Sequence, residues 1–152
     1  MISKKAKYGL KALLMLAAEY DQGPILIADI ATSQFIPKKF LELILLELKK
    51  HGLLQSRKGK GGGYFLAKHP ESITLGQVIR FMDGPIALVP CVSQTAYMKC
   101  DDCLDEATCG IRIVMKEVRD VMGRILDGTT LADVIRKVEA RPKTAAGRRR
   151  PG

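Results

Sequence analysis

The sequence predicts a mainly α fold of one domain, interrupted by a single β-hairpin and ending on a long helix. Three observations carry that expectation. Apolar residues recur at i, i+3, i+4 and i+7 through most of the chain, one glycine-rich segment breaks this rhythm between two short apolar runs, and a seven-residue repeat occupies residues 111–125. At 152 residues the chain holds about one ordinary core, which excludes large multidomain enzymes.

The first helix is expected over Lys4 to Tyr20, where Leu10, Leu13, Leu14, Ala17 and Ala18 share one face and Lys4, Lys7 and Lys11 lie near the start. After Gly23-Pro24, the spacing of Ile27, Ile30 and Ala31 gives a two-turn helix to Ser33. A brief turn at Gln34 to Ile36 leads to Pro37, expected at a first helical position where its missing N–H costs nothing. Phe40, Leu41, Ile44, Leu45 and Leu48 then trace a buried face, and Gly52 serves as the C-cap after His51.

A short helix, a tight turn and a longer helix form a helix-turn-helix, whose second helix lies in the DNA major groove. Lys38, Lys39 and Glu42 project from the start of that second helix, suited to phosphates and, for Glu42, to a cytosine amino group. Leu43 and Leu46 fall outside the buried stripe and are expected to pack against the following hairpin, with thymine methyl groups as the alternative.

That hairpin pairs Leu53–Ser56 with Tyr64–Ala67 around Arg57-Lys58-Gly59-Lys60-Gly61-Gly62-Gly63. Glycines let the backbone approach an anion, and Arg57, Lys58 and Lys60 neutralise charge, so the tip reads as a DNA-binding wing with Gly61 and Gly62 at the contact. The loop lacks the G-x-x-x-x-G-K-[ST] spacing of a nucleotide-binding loop. Charge partition agrees with a polyanionic partner for the amino-terminal half. Residues 1–69 carry 12 basic and 5 acidic side chains, residues 70–139 carry 8 and 11, and residues 140–152 carry 5 and none.

Thr74 is placed to cap a helix to Met82, with Leu75, Val78, Ile79 and Met82 on one side. Residues 83–110 show no period and contain every cysteine: Cys91, Cys100, Cys103 and Cys109, spaced C-x8-C-x2-C-x5-C. The amino terminus lacks the apolar stretch of a signal peptide and no apolar run approaches the roughly 20 residues that span a bilayer, so a cytoplasmic protein without a membrane partner is expected. In that compartment metal ligation or redox sensing outranks structural disulfides. Zinc sites usually show two short paired spacings and only Cys100 with Cys103 forms one, whereas iron–sulfur clusters accept a looser range. Asp101, Asp102, Asp105 and Glu106 do not favour an anionic cluster, and the metal stays open on chemistry alone.

From Ile111 to about Leu126 runs the last long helix. Ile111, Val118 and Ile125 are seven apart, Val114 and Val121 follow the first two by three, and charged residues flank the seam, as in helices that pair across a two-fold axis. Thr129 or Thr130 would cap a final helix, Leu131 to Glu139. Four segments follow: a DNA-binding domain over residues 1–82, a cysteine-rich loop over 83–110, the dimerisation and terminal helices over 111–140, and a disordered basic tail over 141–152. His51 and His69 lie far from the cysteines in sequence and are expected to cap or to sit at the surface. No nucleophile with a base accompanies them, so an enzyme with a small-molecule substrate is not expected.

Lys7-Tyr8, Ile27-Ala28-Asp29-Ile30-Ala31, Phe40-Leu41-Glu42, Leu48-Lys49-Lys50-His51-Gly52-Leu53, the wing from Arg57 to Tyr64, the cysteine loop and the helix after it together resemble one family. It is the winged helix-turn-helix transcription regulator family that includes IscR, NsrR, RirA and CymR, and the likeness covers about Met1 to Ala140. The resemblance implies a homodimer on a double-stranded DNA operator and, for most members with three loop cysteines, an iron–sulfur cluster of either the 2Fe–2S or the 4Fe–4S kind. It places the usual ligands at Cys91, Cys103 and Cys109, makes Cys100 additional, and puts Arg112 where IscR-like members have a ligating histidine. It matches Glu42 to a base-reading glutamate, puts Leu43 in place of a glutamine and Lys58 in place of a wing arginine, and allows, as in CymR, a zinc or thiol switch without a cluster. An electron carrier using the same cysteines is the remaining alternative.

Overall fold

The computed structural model describes residues 1–142, so most of the expected basic tail lies outside the described residues. Helix α1 spans Lys4–Ala18, ending before Tyr20. Ser3 starts it: the side-chain hydroxyl accepts the Ala6 N–H at 3.0 Å, while the Ser3 N–H donates to Asp83 at 2.7 Å. Its buried face is Ala6, Gly9, Ala12, Leu13, Leu16 and Ala17; Ala18, expected on that face, is exposed because the stripe has rotated past it.

Helix α2 spans Ile27–Gln34 and helix α3 spans Lys38–Lys50. Between them Phe35 adopts the left-handed conformation at φ 55°, and the buried Ile36 pins the turn by donating its N–H to Ala31 O at 3.0 Å. Pro37 is the N-cap of α3 and not its first helical residue, since its ψ of 126° is extended. Leu41, Ile44, Leu45 and Leu48 are buried as the period requires. The helix closes on Gly52 at φ 74°, with Gly52 N–H to Lys49 O and Leu53 N–H to Leu48 O both at 3.0 Å, the paired bonds of a Schellman cap.

Strands β1, Leu54–Arg57, and β2, Gly63–Leu66, pair antiparallel with Leu54 opposite Leu66 and Arg57 opposite Gly63. Ile25 extends this hairpin by exchanging two 2.8 Å backbone bonds with Tyr64. Helix α4 spans Leu75–Asp83 and is capped by Thr74, whose hydroxyl accepts the Gln77 N–H. Helix α5 spans Gly110–Asp127 and helix α6 spans Leu131–Glu139.

The structure corrects the expected grouping of α6 with α5. The fully buried Leu131 belongs to the same cluster as Leu13, Ile30 and Leu48, and α6 packs on α1. The chain returns to that core through a bridge between Thr74 and Thr130, with Leu75 N–H to Thr129 O and Leu131 N–H to Ile73 O both at 2.9 Å. Thr130, not Thr129, caps α6 in a full capping box with Asp133. By contrast, no residue of α5 is buried.

Two predictions test this account. A Cβ on Gly63 would lie 2.3 Å from the Ile25 carbonyl oxygen at a φ of 137°, whereas one on Gly61 would meet open space. Gly63→Ala should therefore lower the unfolding free energy by more than about 2 kcal/mol and Gly61→Ala by about 1 kcal/mol, read by thermal or urea unfolding. The second concerns acid. The Thr130 N–H, then Arg136 and the Thr130 hydroxyl, hold the Asp133 carboxyl down to about 2 from an ordinary 3.8, so its capping contribution is complete above about pH 4 and is lost as the pH falls through 2. Asp133→Asn should flatten the pH dependence of unfolding in that window, and an unchanged slope would contradict the assignment.

Candidate functional site

Along α3, one stripe faces outward. Lys38, Lys39 and Glu42 are exposed at its start, as expected. Leu43 and Leu46 depart from expectation: they are 66% and 46% exposed and do not pack beneath the hairpin. The hairpin turns Leu54 and Leu66 into the core and is held on its other edge by Ile25. Its link to α3 lies at the far end of the helix, where the Lys49 ammonium donates to Ser56 Oγ at 2.7 Å. The first half of α3 is left uncovered.

The wing presents Arg57, Lys58 and Lys60 to solvent, with the Arg57 guanidinium 5.7 Å from the centre of the Phe65 ring. Gly59 and Gly61 at φ 87° and 73° make the tip, and both have open space around them. Gly62 does not belong to the exposed set expected to meet DNA. It is buried, its N–H donates to Gly59 O at 3.0 Å, and a Cβ there would lie 2.2 Å from the Arg57 carbonyl oxygen. Its role is to close the turn. Lys4 is exposed, but Lys5 is half-buried and its ammonium lies 3.2 Å from both Glu47 carboxylate oxygens, tying α1 to α3 instead of standing free for a phosphate.

Cys91 sits buried in a short 3-10 turn, Pro90–Val92, that packs on α5. Cys100 and Cys103 are half-buried in the loop, and Cys109 is the N-cap of α5. All four line one open cleft of about 500 Å³ together with Arg112. The thiols share a space but not a point: among the described residues no three His, Cys, Asp or Glu side chains converge closely enough to hold a metal ion in this arrangement. A hydrogen bond to Cys91, aided by burial and nearby negative groups, pushes the Cys100 thiol up; burial, then Cys109 and Glu106, pushes up Cys103.

The donor set nonetheless suits a thiolate-bound centre, and one further atom points to it. Arg112 Nε is buried without a hydrogen-bond partner, and Glu106 lies 3.8 Å away. Because Arg112 follows Cys109 by three residues, one helical turn brings its side chain over the cleft that the cysteine caps. The histidines behave as expected: His69 Nδ1 accepts the Glu71 N–H in a local cap, and His51 stacks on Phe81 with ring centres 4.1 Å apart.

Beside the cleft, α5 carries an apolar seam to solvent. Ile111 is 68% and Ile125 60% exposed, Val114 and Val121 are about half exposed, and Val118 is half-buried. Two polar contacts that sequence reasoning did not anticipate fix the helix at its flanks. Arg119 donates to the Val92 carbonyl oxygen beside Cys91, and Arg80 of α4 grips Asp127 in a bidentate pair at 2.5 and 2.9 Å. Charge complementarity alone gives no register for such pairs across 47 residues, so no sequence signal pointed to them.

Comparison with known proteins agrees with this arrangement. The family model described as Rrf2, iron-dependent transcriptional regulator, matches residues 2–137. An rrf2-like HTH-type transcriptional regulator of Rhodobacter capsulatus is 46% identical over 138 residues, covering 89% of this chain and 92% of that protein. Among solved structures, CymR, the global cysteine regulator of B. subtilis, superposes with a TM-score of 0.76 at 32% identity, covering 90% of this chain and 97% of that one. IscR of T. potens does so with a TM-score of 0.72 at 30% identity, covering 97% and 93%. With a winged helix-turn-helix, a cationic wing and a match over nearly its whole length, this chain belongs to the Rrf2 family of transcriptional regulators, a family of DNA-binding regulators and not of enzymes.

Proposed function

We propose that this regulator acts as a homodimer, joined through Ile111, Val114, Val118, Val121 and Ile125, whose affinity for a double-stranded DNA operator is set by an iron–sulfur cluster in the cysteine cleft. The observation that carries this reading is the gathering of all four cysteines and an unpartnered arginine donor at the foot of an α5 helix with no buried face. Cys91, Cys103 and Cys109 would hold the cluster, with Cys100 supplying the fourth bond. A bound cluster supplies a centre that one-electron chemistry, oxygen or nitric oxide can alter.

The rest falls to the chain's own residues. Two copies of α3 would enter successive major grooves about one helical turn, roughly 34–36 Å, apart. Lys4, Lys38, Lys39, Arg57, Lys58 and Lys60 neutralise phosphates, Gly61 lets the wing backbone approach, and Glu42 accepts from a cytosine amino group. Coupling follows the two polar clamps on α5: Arg119 ties it to the Cys91 turn, and Asp127 ties it to α4 of the DNA-binding core. A change of occupancy in the cleft then alters the spacing of the reading heads, which is the differential affinity that a switch requires.

A second reading, a thiol switch without a cluster, is favoured by one specific observation: all four cysteines are free thiols that line one cleft. Anaerobic purification separates the two. A coloured protein with stoichiometric iron and acid-labile sulfide supports the cluster; a colourless one that forms a Cys91–Cys100 disulfide supports the switch. In gel shifts, holo and apo forms should differ in operator affinity by at least tenfold, and equal affinity would remove the cluster as the control element.

Partner and interface are tested together. Val121→Asp should sediment as a folded monomer, and a surviving dimer would displace the seam from α5. In wild type, binding should weaken steeply with salt, and Lys58→Ala with Lys60→Ala should reduce the slope of log affinity against log salt by about 2 per protomer.

A further inference from the structure

The outward stripe of α3 has a composition that phosphate binding does not explain. Lys39, Glu42, Leu43 and Leu46 follow one another at i, i+3, i+4 and i+7, the same spacing that marks the buried face. Two of these four are leucines, 66% and 46% exposed, on consecutive turns. A single exposed leucine needs no explanation. Here, however, both stand among Lys38, Lys39, Lys49 and Lys50, with Arg57, Lys58 and Lys60 on the wing that follows. This charge pattern repels cationic partners and invites a polyanion. The major groove of DNA offers such a surface one apolar group, the 5-methyl of thymine, and a leucine side chain matches it in size and polarity.

We propose that Leu43 is a base-reading residue that packs on the 5-methyl group of a thymine next to the cytosine whose amino group Glu42 accepts, and that Leu46, one turn on, extends the same apolar contact. The inference rests on the reading of α3 as the recognition helix. Leu43 takes the leading role because it is the more exposed of the two, lies in the first half of α3, and adjoins Glu42. The apolar seam of α5 sits on a different element, so dimerisation through it does not claim Leu43.

The test removes one methyl group. Full-length protein first enriches duplexes from a randomised pool; each thymine of the enriched half-site is then replaced singly by deoxyuridine, and affinity is read by fluorescence anisotropy. Wild type should weaken about fourfold at one thymine beside a cytosine, the worth of burying a single methyl group. Leu43→Ala should bind thymine and deoxyuridine duplexes equally, at about the wild-type affinity for the deoxyuridine duplex or below it. Leu46→Ala should keep part of the preference. Because both side chains are exposed, neither variant should lose its helical circular dichroism or its oligomeric state; a change of oligomeric state in Leu43→Ala would assign the residue to a protein contact and overturn the inference. Wild-type affinity that is insensitive to every replacement, or full methyl preference in Leu43→Ala, would overturn it too, while leaving the recognition helix in place. A pool from which no sequence is enriched would overturn the reading of α3 itself.

Discussion

Everything in this molecule depends on how α5 is held. It is an amphipathic helix of 18 residues with no buried side chain, and it leaves the core at the cysteine loop and returns at the Thr74–Thr130 bridge. It packs on α4 and on the Cys91 turn, and two polar contacts fix it there: the Arg119 bond to the Val92 carbonyl and the Arg80 fork on Asp127. An exposed apolar face of this kind is unfavourable in water at about 25 cal/mol per Å², which is why the proposed dimer joins here, and the clamps decide how the face is presented. Fixed at its flanks by these contacts, α5 would serve, in the proposed switch, as the link between the cleft and the winged helix.

The winged helix itself is rigid by comparison. Leu41, Ile44, Leu45 and Leu48 of α3 interdigitate with α1, and Leu131 of α6 fills the same core from the far end of the chain. Lys5 and Glu47 add a half-buried pair across α1 and α3. A recognition helix set in close-packed surroundings does not tilt by small amounts, since packed interiors resist continuous deformation. In the proposed dimer, a signal from the cleft would therefore move whole reading heads relative to each other and would not bend α3 within one protomer.

How far this could be read from the sequence varied with the kind of force involved. Apolar periodicity and capping residues located the six α-helices of the described residues, the hairpin was marked by its glycines, and the short 3-10 turn at Pro90–Val92 left no such trace. Partners across distance left none either. The final helix was legible by its cap and bounds, but nothing in its sequence said what it packs on; the structure sets it on α1. Gly61 and Gly62 were read together as the contact, yet Gly61 faces open space, Gly62 packs on the Arg57 carbonyl and Gly63 on the Ile25 carbonyl, a division set by contacts and not by local sequence. Leu43 and Leu46 were legible as off-stripe residues, but whether the hairpin covers them depended on the Ile25–Tyr64 bridge, which no local pattern encodes. Pro37 is compatible with an N-cap as well as with a first helical position, and its extended ψ decides the matter.

The acidic residues of the cysteine loop bear on any anionic occupant, and two of them have partners of their own. Asp105 is turned upon its own loop, accepting from the Ala107 N–H at 3.0 Å and the Thr108 hydroxyl at 2.7 Å, which holds its carboxyl below the ordinary range. Glu106 accepts from the Tyr97 hydroxyl. Asp105 nonetheless lines the cleft and Glu106 lies 3.8 Å from Arg112 Nε, which is buried without a hydrogen-bond partner in the same cleft as the four sulfurs. A buried donor without an acceptor costs about 1–3 kcal/mol. Any occupant with an acceptor atom would remove that cost, and one carrying negative charge, such as the proposed cluster, would also take the guanidinium as its counter-ion. Where a histidine would offer a metal a lone pair, arginine has none to give, so on the proposed reading this position would contribute charge and the fourth bond would come from Cys100.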